Sequence, residues 1–155
     1  MFGVDGSEMA RQDPMAQWRQ HTRLANHHFA EGNHLAALPG YRQALLLAEQ
    51  QLLRWQDADE VVAALVVACH NLADLMMAMG EDSNAATLLC QAHQCLLQLS
   101  HSSHCRNALR VAALNHSRYT QMELLSFLRK WGPNIAIQTC LDQCHCQEGV
   151  SHTLH

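Results

Sequence analysis

Residues 24–45, LANHHFAEGNHLAALPGYRQAL, and residues 72–93, LADLMMAMGEDSNAATLLCQAH, decide the fold. Laid on each other with Gly32 over Gly80, a shift of 48 residues, they match in kind. Leu24-Ala25 falls on Leu72-Ala73, Phe29 on Met77, Ala37 on Ala85, Tyr41 on Leu89 and Ala44 on Ala92. Each stretch reads as helix, glycine turn, helix. Glycine takes the left-handed conformation that ends a helix at little cost. Small residues on facing helices let two backbones approach closely. Ala25 and Ala37 have that role in the first stretch, with Tyr41 filling the space beside them.

Working outward, apolar residues recur at steps of three and four, the helical period. Pro14 suits a first helical position and Asp13 can cap it, so a helix is predicted from 14 to about 31. A second runs from about 34 to 55 on Leu35, Leu38, Tyr41, Leu45, Ala48 and Leu52. The polar run at 56–59 breaks the pattern, with Asp57 or Asp59 able to cap the next helix. That third helix, about 60–79, is apolar at Val61, Val62, Leu65, Val66, Cys69, Leu72 and Met76. A helix apolar nearly all round is a central one. A fourth is predicted over about 84–99 and a fifth over about 105–131, closed by Gly132-Pro133. Residues 1–13 read as an arm, 14–132 as the helical domain and 133–155 as a tail with no clear period.

Composition agrees. Among 155 residues only seven are Gly and three Pro, which leaves long stretches free of helix breakers. The apolar fraction is 48% and the charged fraction 15%, a globular balance. Net charge is −4 with His neutral, and the ten basic residues are spread along the chain, so nucleic-acid binding gets no support. Residues 1–13 lack the charged start and apolar run of a secretory signal. The longest apolar run, Val61 to Cys69, is far shorter than the roughly 18 residues of a membrane helix. Seven Cys, an odd number, fit thiols better than a disulfide framework. A cytoplasmic chain without a membrane segment is expected.

The paired stretches resemble the tetratricopeptide repeat over residues 18–99. In that family a Leu-Gly or Leu-Ala pair precedes a turn Gly, then an Ala, a large residue four later, and another Ala. The spacing of 48 exceeds the family's usual repeat of about 34 residues, and no Pro closes either repeat. The resemblance implies an all-α fold: antiparallel helix hairpins stacked as a short right-handed solenoid, with a long fifth helix capping it. It also implies a protein–protein scaffold or adaptor, not an enzyme, holding a partner peptide or helix in a groove lined by the first helix of each pair. Arg19, Thr22, Asn26, His70, Asn71 and Asp74 fall on that lining. Asn26 and Asn71 resemble two members of the set with which some relatives clamp a terminal carboxylate. Arg106 and Arg110 would supply the basic members if the fifth helix opens a third repeat. Thr22 stands where another basic residue is expected.

The alternative reading is a metal-binding or redox protein. Cys140-x3-Cys144-His145-Cys146 offers thiolates and an imidazole, the ligands of zinc or copper(I). The two-residue gap common in structural zinc sites is missing. Cys90 and His93 share one helix face, whereas Cys95 lies roughly opposite. No phosphate loop or nucleophile elbow is present in the sequence. Two repeats are few for a solenoid, which normally needs three or more. A second copy in a homodimer, or another protein, is expected to cover the apolar surface left open.

Overall fold

A computed structural model describes residues 13–143. Among them are no strands. The helices are α1 (Pro14–Ala30), α2 (His34–Gln51), α3 (Ala58–Ala78), α4 (Asp82–His101) and α5 (Asn107–Trp131). A sixth helical segment, α6, occupies residues 135–143. The protein is all-α.

Local chemistry sets the ends. The Asp13 carboxylate accepts from the backbone N–H groups of Met15 and Ala16 at 3.0 and 3.3 Å. Asp57 does the same for Glu60 at 3.1 Å. Side-chain caps of this kind satisfy donors that the helix itself cannot. Gly32 and Gly80 hold φ of +80° and +77°. Past each glycine the next N–H reaches back over the turn, Asn33 to His28 at 2.9 Å and Glu81 to Met76 at 2.8 Å. The two hairpin turns are thus the same turn.

Consecutive helices pack on each other from α1 to α5, α5 lies against α3 as well as α4, and α1 touches α3 lightly. Central α3 buries Val61, Val62, Leu65, Cys69, Leu72 and Leu75 among others. By length and composition it could cross a membrane. Here its apolar sides are covered by α1, α2, α4 and α5.

Two expectations need correction. The second helix stops at Gln51, not near Trp55. The chain tightens there, with the N–H groups of Arg54 and Trp55 both bonded to the Gln51 carbonyl, and Arg106 takes up the carbonyls of Trp55 and Gln56. The segment after Gly132 is not a featureless tail either. Asn134 caps α6, its side chain accepting from the Ile137 N–H at 3.1 Å. Ile137 and Cys140 are only 0 and 2% exposed and join Leu89, Cys90, Leu97, Leu124 and Phe127 in the core. Ile137, Cys140 and Leu141 follow the i, i+3, i+4 rule, and the exposed Ile135 obscures it in sequence. The packed domain runs past residue 132 to at least 143.

Candidate functional site: the face of α1, α3 and α5

Glu60, Ala63, Val67, His70 and Asp74 recur at steps of three and four, so they share one face of α3. Helix α1 borders this face on one side and α5 on the other. Helix α5 runs parallel to α3, because His116 meets Asp59 at 2.9 Å and, further along both helices, Glu123 meets His70 at 3.2 Å.

His70 is the best-anchored polar group on the face. Its Nε2 lies 3.1 Å from Asp74 Oδ2 and its Nδ1 3.2 Å from Glu123 Oε1. A neutral imidazole carries one N–H, whereas two carboxylate acceptors call for two. The hydrogen bonds to Asp74 and then Glu123 push the His70 pKa up to about 10 against the opposing effect of burial. His70 is therefore a cation at neutral pH and ties α3 to α5. Beside it lies a hollow of about 150 Å³ that also touches Ala73, Met77, Phe127, Lys130 and Trp131. The Lys130 ammonium sits 5.2 Å from the centre of the Trp131 ring.

A second hollow, about 350 Å³, opens between α1 and α3 on Met15, Trp18, Arg19, Glu60, Ala63, Ala64 and Val67. Arg19 reaches Glu60 at 3.7 Å across it. Trp18 Nε1 and Thr22 Oγ1 are buried behind this wall with no hydrogen-bond partner. Both hollows open on the same strip of α3. A third, about 220 Å³, lies elsewhere, among α2, α3 and α4, and includes Cys69 and Cys95. Burial, then the nearby Glu49 carboxylate, pushes the Cys69 thiol up to about 12 and raises Cys95 as well. Protonated thiols are poor nucleophiles and poor ligands.

Of the residues singled out from sequence, His70 and Asp74 meet on this face, and Arg19 lies on it beside Glu60, about 15 Å further along α3. Asn71 is half-buried next to His70. Thr22 is buried. Asn26 is exposed, but its side-chain oxygen accepts from the Tyr41 hydroxyl at 2.5 Å. The two arginines stand apart. Arg106 precedes Glu123 by 17 residues and Arg110 by 13, which is about 25 and 20 Å along a helix axis. Arg106 is committed to the carbonyls of the α2–α3 loop. They cannot share one carboxylate with Asn71 or His70. Sequence reasoning missed Glu123, Ser126, Lys130 and Trp131. Glu123, Ser126 and Lys130, spaced by three and four residues, would have fallen along one edge of α5, with Trp131 next to them at its end.

Cys90 and Cys140 meet in the core between α4 and α6. Cys140 is a core residue, its Sγ 3.9 Å from the Cys90 carbonyl, while the Cys90 thiol donates to Ala136 O at 3.5 Å. His93 is buried, with Nδ1 2.7 Å from Thr120 Oγ1. Among the described residues no group of three or more His, Cys, Asp or Glu side chains is arranged to hold a metal ion. Cys144, His145 and Cys146 lie outside them.

No curated protein and no solved structure matches the chain. A family model described as "Protein of unknown function (DUF2753)" does match, over residues 16–153, and the chain belongs to that family.

Proposed function

We propose that this protein is a protein-binding scaffold, a short tetratricopeptide-like stack of helix hairpins that holds a partner peptide or helix along the α1–α3–α5 face. The observation that carries the reading is the continuity of this face: two hollows open on one strip of α3, flanked by aromatic side chains at Trp18 and Trp131. Aromatic anchors beside charged rims are what protein partners use. The hairpin pairing, the matched glycine turns and the parallel α3 and α5 support the solenoid arrangement. Binding is favoured over catalysis because His70, the most perturbed imidazole on the face, is spent on two carboxylates and has no lone pair to offer as a base.

A photo-crosslinking side chain placed at Val67, on the floor of the face, tests this. In cells it should capture a defined partner that the same group at Leu35, on the outside of α2, does not. The captured band should vanish when Val67 carries the crosslinker together with Trp131→Ala. Equal capture at Val67 and Leu35, or none at Val67, would reject the scaffold reading for this face.

A further inference from the structure

Helix α5 is apolar on two opposite sides. Its inner side buries Leu109, Ala113, Leu124 and Phe127. Its outer side carries Val111, Leu114, Met122 and Leu125, which are 44 to 65% exposed. Those four are spaced by three, eight and three residues, a single stripe along the helix with Arg118 at its centre. Arg110 flanks one end and Arg129 the other, both exposed. Although the chain carries a net charge of −4, α5 holds four cations, Arg110, Arg118, Arg129 and Lys130, against one carboxylate, Glu123. That carboxylate is turned away to His70 on α3. Among the described residues, the outer side of α5 therefore presents an apolar seam with arginines and no carboxylate of its own helix.

We infer that this outer face of α5 docks an acidic amphipathic helix of a partner protein, at a surface separate from the α1–α3–α5 face. Helix recognition of this kind uses apolar anchors at i, i+3 and i+7. Charge chooses the occupant. Arg118 lies midway between Val111 and Leu125 and midway between Leu114 and Met122. A second copy packed about a two-fold axis on this stripe would set Arg118 against its own counterpart, two like charges at the dry centre of the contact. A membrane would have to draw Arg118 into the acyl layer with its apolar neighbours. An opposing helix needs only one carboxylate there, with others at its ends for Arg110 and Arg129. The stripe from Val111 to Leu125 is about 21 Å long, which matches a partner helix of four turns.

Two synthetic peptides of about 18 residues, long enough for that span, decide the matter with the full-length chain. Both carry Leu at i, i+3 and i+7. One has Glu at the flanking positions and the other has Lys. Fluorescence anisotropy should show the Glu peptide binding at least about tenfold more tightly than the Lys peptide. Leu114→Glu and Met122→Glu, both at exposed positions, should weaken it by a similar factor with unchanged circular dichroism. Arg118→Glu should reverse the preference between the peptides. His70→Gln should leave binding unchanged, which keeps this surface distinct from the other face. Equal affinity for the two peptides, no binding of the Glu peptide, or loss of binding in His70→Gln would overturn the inference. So would a dimer in sedimentation, or binding to phosphatidylserine vesicles, that Leu114→Glu abolishes.

Discussion

The two hairpins, α1–α2 and α3–α4, share a frame and differ in what they do with it. Ala25 and Ala73, Ala37 and Ala85, Ala44 and Ala92 are buried in pairs at equivalent places, and the glycine turns coincide. At the crossing point the first hairpin has Gly40 and the second Leu88. A Cβ on Gly40 would stand 2.9 Å from Ala25 Cβ and 3.1 Å from the His21 carbonyl, so α1 and α2 lie in near backbone contact. On the outward strip the first hairpin has Thr22 and Asn26, one buried and the other bonded to Tyr41; the second has His70 and Asp74, exposed and charged. The first hairpin draws its two backbones together at Gly40 and lays its buried side on α3. The second gains its stability from α5 and α6 and leaves its polar groups for the surface. One backbone plan thus divides structural and surface duties between its halves.

Several substitutions bear on that contrast. The largest effect should come from Ile137→Ala, which empties a fully buried site against α4 and should cost about 3–4 kcal/mol in urea unfolding. Truncation after Gly132 should weaken the fold at least as much. If either change is silent, α4 does not depend on its outer cover. Gly40→Leu, which gives the first hairpin the residue of the second, should cost about 2–3 kcal/mol by forcing α1 and α2 apart. Tolerance of leucine there would erase the distinction between the two crossings. Gly32→Ala and Gly80→Ala should each cost about 1 kcal/mol, because a Cβ strains the positive φ. The two losses should agree, and a large difference would show that the turns are not equivalent.

Tyr41→Phe should lose about 0.5–1 kcal/mol with its hydrogen bond to Asn26, while Leu89, its counterpart, has no such bond to lose. Burial and then the charge of Asp74 raise the Tyr41 pKa, so its hydroxyl stays a donor in neutral solution. The smallest effect concerns His70. Its folded pKa of about 10 lies above the ordinary 6.5. Its contribution is therefore fully present below pH 6.5 and fades as pH rises through about 10. Because the ring is half exposed, solvent screening keeps the stability change small. The sharper readout is NMR: the His70 ring should stay protonated at pH 8, and Glu123→Gln should lower its pKa.

Much of the fold was legible because helices announce themselves by period and cap. Asp13, Gly32, Gly80 and the apolar circumference of α3 were readable one residue at a time, while the cap of α3 was narrowed to Asp57 or Asp59 and is Asp57. Helix α6 was not, because it is short and begins with the exposed Ile135, so its apolar positions look irregular until Asn134 is seen to cap it. The role of Gly40 was not legible inside the predicted helix; only the crossing partner Ala25 explains it. At the candidate site, sequence supplied the α3 half, His70 and Asp74. Glu123 and Trp131 came from the parallel alignment of α5 with α3, a relation between distant segments that no local pattern encodes. Arg106 stands apart from the α3 residues for the same reason: its position before α5 gives it the carbonyls of Trp55 and Gln56 as neighbours.

The seal between α6 and α4 also has a consequence for how the chain is made. The Cys90 thiol finds its acceptor, Ala136, 46 residues further on. Contacts between successive helices can form as each pair leaves the ribosome, and such local topology favours rapid folding. The first hairpin, with its close crossing at Gly40, emerges first. The flank of α4 stays uncovered until residues 135–143 emerge, so translation carries a window in which Leu89, Cys90 and Leu97 face water. Arrest or early termination in that window would leave a nearly complete domain that is sticky on one side, a form that chaperones and proteases recognise.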